Sequence, residues 1–110
     1  MRRLLALLAV QGCVAPGLRR TAPVGPPAAR IVVEGIHYWS DTLTIQAGEV
    51  VAWVNHDIVD HTITFEQRGA RRLSGKLKAK GEYTVRFDKP GVYAYYCDPH
   101  RSMRAVVVVK

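Results

Sequence analysis

Residues 91–103 read GVYAYYCDPHRSM and contain the pattern that decides the fold. The run Val92–Cys97 follows a Lys-Pro-Gly turn signal and is rich in aromatic and β-branched residues, which is typical of a β-strand. The residues after this run place Cys97, His100 and Met103 on one short loop, with two residues between each pair. A strand that ends in such a loop predicts a cluster of chemically active side chains at one edge of a sheet.

Short alternating runs separated by turn residues continue in both directions from this segment. The clearest is Glu82–Phe87, in which Tyr83, Val85 and Phe87 share one face. Strands of this length, with turn signals roughly every eight to twelve residues, predict an all-β, antiparallel β-sandwich. The predicted strands are Ile31–His37, Thr42–Gln46, Glu49–Asn55, His61–Glu66, Glu82–Phe87, Val92–Cys97 and Arg104–Val109.

The segment 67–80 is less regular and strongly basic, so a short helix, an edge strand and a loop all stay open there. A formal net charge of +7 first suggests a nucleic-acid-binding surface. The segment lacks the interleaved aromatic residues of such surfaces, and we expect no nucleic-acid binding. We expect a solvated charged edge, or a patch that attracts an acidic protein partner. Its basic residues are Arg68, Arg71, Arg72, Lys76, Lys78 and Lys80.

The amino-terminal residues 1–13 are predicted to be an export signal. Two arginines precede the apolar run Leu4–Val10, which is too short to span a bilayer as a helix. The sequence VQGC, ending at Cys13, resembles a bacterial lipoprotein signal. We therefore expect a periplasmic or extracytoplasmic protein, with a lipid tether to a membrane through Cys13. Secretion with cleavage near Ala15, or a misread start, are the alternatives.

Residues 14–29 are rich in proline, alanine and glycine, a composition that predicts an unpacked linker. Residues 30–110 are then a single domain, since 110 residues are enough for one core. No disulfide is predicted, because one of the two cysteines lies in the leader and Cys97 lies in the loop. We expect a monomer.

Four side chains are predicted to converge at one end of the sandwich. Side chains two apart on a strand share a face, so Cys97, His61 and Met103 each continue a row that faces the core. If the strand ends meet, these three gather above the core and His100 closes the site from its loop. A thiolate, two imidazoles and a thioether favour copper in a trigonal site with a long axial bond. Zinc prefers a tighter tetrahedral set.

The residues around these four positions resemble the cupredoxins, the small type 1 blue-copper proteins. The resemblance rests on NHD at 55–57, HTITF at 61–65, GVYAYYCDPH at 91–100 and Met103. It covers about 31–110, and the Cys-x2-His-x2-Met loop is the compact form seen in amicyanins. Plastocyanins, pseudoazurins and azurins have longer loops. The resemblance implies a Greek-key β-sandwich of about seven or eight strands with one copper ion. The ligands it implies are His61, Cys97, His100 and Met103.

The resemblance also implies a function. A cupredoxin passes single electrons between redox proteins outside the cytoplasm by cycling Cu(II) and Cu(I), and the edge of His100 is the expected exit. A copper storage or delivery protein of the cell envelope is the alternative. We expect no enzyme activity, because a site with four protein ligands leaves no open position. In plastocyanin-like relatives an outward aromatic residue beside the ligand cysteine resembles a second exit, and Tyr96 stands in that place.

One residue departs from the family pattern. Many cupredoxins have asparagine directly after the first ligand histidine, where its side chain ties the two ligand loops together, but this chain has Thr62. The backbone N–H of residue 62 is still expected to donate to the Cys97 sulfur. The remaining polar residues nearby are expected to be ordinary surface or loop residues, since Asp readily bonds to backbone in turns. These are His37, His56, Asp57, Asp60 and Asp98.

Overall fold

The structure, a computed structural model, describes residues 18–20, 26–66 and 74–110. The described residues form ten β-strands and no helix, and therefore contain no apolar helix long enough to cross a membrane. The strands are β1 Leu18–Arg20, β2 Ala29–Val33, β3 Tyr38–Trp39, β4 Thr42–Ile45, β5 Val50–Asn55, β6 His61–Phe65, β7 Ser74–Leu77, β8 Glu82–Phe87, β9 Gly91–Tyr96 and β10 Arg104–Val109.

The strands form two five-stranded sheets, in the orders β1-β8-β5-β2-β3 and β4-β10-β9-β6-β7. Successive strands repeatedly change sheet, as in Greek-key sandwiches. The predicted all-β Greek-key sandwich is confirmed, but the expectation of purely antiparallel pairing is wrong. The pairs β2–β5 and β4–β10 are parallel. For β2 and β5 the reason is that β4 carries the chain back to the end at which β2 began.

Seven strands were predicted by range, and the structure adds three short ones, β1, β3 and β7. The predicted strand 31–37 ends at Val33, because Gly35 and Ile36 take positive φ angles of 66° and 56° and turn the chain into β3. The predicted linker over 14–29 is wrong at Leu18–Arg20, which pairs with β8, and Leu18 is buried. Among the alternatives for 67–80, an edge strand occupies Ser74–Leu77, whereas residues 67–73 lie outside the described part.

The core lies between the two sheets and is built from the rows that alternation predicted. Trp53 of one sheet and Tyr95 of the other are completely buried. The indole Nε1–H of Trp53 donates to the Tyr95 hydroxyl at 3.1 Å, so both polar groups are satisfied inside the core. The predicted inward residues Tyr83, Val85 and Phe87 are buried as well.

The two ends of the sandwich are formed by different segments. The upper pole contains residues 34–37, 55–61, 77–81 and 97–103, which are joined by backbone bonds such as Asn55 N–H to Gly81 O and Cys97 N–H to Met103 O. The lower pole contains residues 46–49 and 87–91, joined by Gly48 N–H to Phe87 O. All four residues expected to bind metal therefore belong to the upper pole.

We predict that Gly75→Ala destabilises the sandwich, because a Cβ at this position would overlap the ring of Tyr83. Gly75 lies on edge strand β7, and Tyr83 reaches it from the other sheet. Overpacking of this kind typically costs about 1–3 kcal/mol, which a shift of the urea unfolding midpoint would measure. The same substitution in a Tyr83→Leu background should cost clearly less. Equal costs in the two backgrounds would contradict the proposed overlap.

Candidate metal centre

Three of the four expected ligands meet at the upper pole. His61 is the first residue of β6, Cys97 follows the last residue of β9, and His100 lies on the loop that leads to β10. The Cys97 Sγ atom lies 3.7 Å from His61 Nδ1 and 3.5 Å from His100 Nδ1. The two Nδ1 atoms are 3.2 Å apart. Strand register therefore brings together residues that are up to 39 positions apart in the sequence.

The triangle formed by these atoms has the size of a metal site. The point equidistant from the sulfur and the two nitrogens lies about 2.0 Å from each of them. Bonds from zinc to imidazole nitrogen are about 2.0–2.1 Å long and those to thiolate sulfur about 2.3 Å, so the triangle accepts an ion of this size once the sulfur lies slightly farther away than the nitrogens. One thiolate and two imidazoles in a trigonal arrangement fit a single copper ion. Among the described residues, no other group of three His, Cys, Asp or Glu side chains comes together in this way.

Asp57 determines which nitrogen of His61 faces the site. The carboxylate atom Oδ2 lies 2.8 Å from His61 Nε2, so we assign the proton of the neutral imidazole to this nitrogen, whose N–H donates a hydrogen bond to Asp57. The other nitrogen, Nδ1, is then left with its lone pair toward Cys97 Sγ. A metal-binding imidazole needs this tautomer, and a carboxylate behind it raises its basicity.

Asp57 was expected to be a loop residue, and its contact with His61 was missed. Burial would by itself raise the pKa of Asp57. Hydrogen bonds from the Ile36 N–H, from His61 and from the Gly35 N–H outweigh this, so its pKa lies below the ordinary value. The carboxylate is therefore ionised at neutral pH. The spacing of four residues between Asp57 and His61 is the signal in the sequence that could have identified it.

Thr62 joins the start of β6 to the loop that follows β9. Its backbone N–H lies 3.4 Å from Cys97 Sγ, within reach for donation to the sulfur. Its hydroxyl oxygen accepts the Asp98 N–H at 2.9 Å and also contacts the Thr64 hydroxyl. The two loops are thus tied together through a hydroxyl instead of an amide.

Tyr38 supports the same segment from the opposite sheet. Its hydroxyl donates to the Thr62 carbonyl at 2.6 Å, and the side chain is buried. Burial raises the pKa of Tyr38, with a smaller contribution from nearby Cys97. The phenol therefore stays protonated and remains a donor across the accessible pH range.

Met103 lies at the same pole and is buried in the core cluster. Its backbone N–H donates to the His100 carbonyl, and its own carbonyl accepts the Cys97 N–H. The loop is thereby closed on itself, with Cys97 and Met103 at its two ends. Met103, Val107 and Val109 were predicted to lie in one row that faces the core, and all three are buried.

Two guanidinium groups cover Tyr96, which lies outside the core cluster as predicted. The side chain is nevertheless buried, because Arg101 and Arg104 lie 4.8 and 5.4 Å from its ring centroid. His37 and His56 are exposed, as expected of surface residues. The ring of Tyr96 is therefore not an open aromatic surface.

Comparison with known proteins agrees with this geometry. The profile of the copper-binding plastocyanin/azurin family matches residues 29–110. Amicyanin from Paracoccus versutus is 34% identical over 92 residues, covering 81% of this chain and 70% of that protein. Plastocyanin from Scenedesmus fuscus is 34% identical over 101 residues, covering 82% and 98%. The crystal structure of Paracoccus versutus amicyanin superposes with a TM-score of 0.78 at 28% identity, covering 86% of this chain and 98% of that one.

A two-sheet sandwich with a His-Cys-His cluster at one pole, its first His and its Cys buried, is the architecture of a cupredoxin. The chain belongs to the plastocyanin/azurin family of copper-binding proteins, with a site that fits one copper ion.

We predict that Asp57→Asn weakens Cu(II) binding by about 10- to 100-fold, the usual effect of losing a hydrogen-bonded partner of a ligand. Asparagine has a single oxygen, so it cannot accept all three hydrogen bonds that Asp57 accepts from Gly35, Ile36 and His61, and its NH2 group would face one of these donors. The negative charge of Asp57 stabilises Cu(II) more than Cu(I). Its removal should therefore raise the reduction potential. Competitive copper titration and voltammetry measure the two effects. Asp60→Asn, which removes a carboxylate of the same loop that bonds Ala79, should change neither quantity appreciably.

Proposed function

We propose that this protein is a type 1 blue-copper electron carrier whose metal ligands are His61, Cys97, His100 and Met103. The observation that carries the proposal is the triangle of one sulfur and two Nδ1 atoms, which has the dimensions of a trigonal copper site. Bound copper supplies the Cu(II)/Cu(I) couple. Cys97 would hold the ion through its thiolate, His61 and His100 through their imidazole nitrogens, and Met103 would contribute a weak thioether contact.

The protein part of the site is built to move little. His61 is fixed by Asp57, and the Cys97 loop is fixed to β6 through Thr62. A set of ligands held by such bonds has to rearrange little when the charge on the metal changes. The burial of His61 and Cys97 also argues against a delivery protein, which must surrender its metal to an acceptor.

The edge of His100 is the exit for the electron. His61 and Cys97 are completely buried, whereas the ring of His100 is partly exposed between exposed Pro99 and Arg101. A partner that docks on this part of the upper pole reaches His100 without displacing the loop. The function is electron transfer between proteins and not catalysis.

The partner that fits this pole has an acidic surface. The acids Asp57, Asp60 and Asp98 already have basic or imidazole neighbours. Lys78 and Lys80 are exposed on the turn after β7, and neither pairs with a carboxylate among the described residues. Unbalanced positive charge at the same pole as the exit favours encounter with an acidic protein.

The protein acts outside the cytoplasm, with Cys13 as the point of attachment to a membrane. The support for this part of the proposal is the leader sequence with its VQGC motif. Mass spectrometry of the mature amino terminus tests it: a diacylglycerol-modified Cys13 supports the tether, and an unmodified terminus elsewhere refutes it.

We predict that the Cu(II) protein absorbs strongly near ~600 nm, as thiolate-bound trigonal copper does. The absorption should disappear in Cys97→Ala. Met103→Leu should still bind copper but with a changed reduction potential, because the axial ligand tunes it. A colourless Cu(II) protein would contradict the proposed site. Loss of all copper binding in Met103→Leu would contradict the axial role alone.

We predict that Lys78→Glu/Lys80→Glu slows electron transfer to a negatively charged soluble cytochrome by at least about tenfold at low ionic strength. The difference should shrink above about 0.5 M salt, where screening acts over a few ångströms. Stopped-flow kinetics measure the second-order rate constant. The matched control is Lys89→Glu/Lys110→Glu, which gives the same net charge but lies at the lower pole. Equal slowing in both variants would mean that only overall charge matters.

A further inference from the structure

The turn between β2 and β3 has an unusual backbone. Gly35 and Ile36 are its two central residues, both with positive φ, and the Glu34 N–H bonds to the His37 carbonyl across it. Two-residue hairpins of this kind usually have Asn-Gly or Gly-Gly at the centre. A β-branched residue at positive φ is a genuine outlier, and such conformations persist only where their surroundings enforce them.

The carboxylate of Asp57 binds both central residues of this turn and thereby supports its conformation. Its Oδ1 accepts the Gly35 N–H at 2.7 Å, and its Oδ2 accepts the Ile36 N–H at 3.0 Å. The same Oδ2 accepts from His61 Nε2 at 2.8 Å. One oxygen atom thus joins a strained surface turn to an imidazole that faces the metal site. No other donor to this carboxylate is present on the turn among the described residues.

We propose that the Gly35–Ile36 turn is a positioning element of the metal centre and acts on His61 through Asp57. The two N–H groups fix both oxygens of the carboxylate, and the fixed carboxylate sets the direction in which the His61 ring points. The proposal rests on the proposed role of His61 as a copper ligand. It assigns to an exposed turn, without any ligand of its own, a share of the copper affinity.

Linkage makes this proposal reciprocal. If the closed turn strengthens copper binding by some factor, bound copper must stabilise the closed turn by the same factor. Cu(I) is diamagnetic, so amide hydrogen exchange can be followed by NMR in both the apo and the loaded protein. The amides of Gly35 and Ile36 should exchange at least about fivefold more slowly after Cu(I) is bound, the lower limit of typical coupling. The Gly48 amide at the lower pole is the control and should not change.

Two variants of one residue separate the backbone from the side chain. Ile36→Pro removes the N–H and forbids positive φ. The Cu(I) dissociation constant of this variant should therefore rise by about the factor by which Cu(I) slows amide exchange in the turn of the wild-type protein. Ile36→Gly keeps the N–H and accepts positive φ without strain, so copper affinity should match the wild type while thermal stability increases. In an Asp57→Asn background, Ile36→Pro should have little further effect.

The results have distinct meanings. The Cu(II) protein could be blue while the exchange rates of the Gly35 and Ile36 amides stay the same after Cu(I) is bound. This result would overturn the role of the turn and leave the proposed function intact. Wild-type copper affinity in a folded Ile36→Pro variant overturns it as well. If that variant does not fold, the exchange measurement on the wild-type chain decides alone. A wild-type protein that binds no copper overturns both proposals.

Discussion

The site depends on one sulfur and two nitrogens being held around a common point by the surrounding protein. Two of these atoms belong to a single loop, and the third begins a strand that pairs with β9 only at its far end. Near the site, β6 and the loop are joined by side-chain contacts instead: Thr62 with Asp98, and the Thr62 N–H with Cys97 Sγ. Each bond is individually modest, about 1 kcal/mol, but together they remove the freedom that the two segments would otherwise have.

The residue types and the strand period made most of this site predictable. Alternation placed Cys97, His61 and Met103 at the ends of inward rows, and the structure brings His61, Cys97 and His100 together while burying Met103 at the same pole. Alternation gave no warning of the turn at Gly35–Ile36, because Ile is a strand former and no Asn or Pro marks the bend. Proline-rich composition likewise concealed β1, which pairs with the edge of β8 and packs Leu18 into the core.

Asp57 illustrates a different limit of sequence reasoning. Its loop position was evident, but its value to the site comes from three donors that lie on two separate segments. No local pattern specifies such a meeting. Thr62 shows the opposite case: it departs from the family pattern, yet a hydroxyl at that position reaches the same neighbouring loop. A hydroxyl thus joins two segments for which the resemblance led us to expect a side-chain amide.

The position of β1 at the edge of its sheet determines which pole of the molecule lies nearer to the amino-terminal segment. Leu18 lies beside Phe87 at the lower pole, and β1 runs upward from there. The five steps from Cys13 to Leu18 span at most about 18 Å, less than the roughly 20 Å length of a six-residue strand such as β8. An anchor at Cys13 would hold the lower pole toward a surface and leave His100 facing the bulk solution. Chemical immobilisation through this end would orient every molecule alike on an electrode or a vesicle.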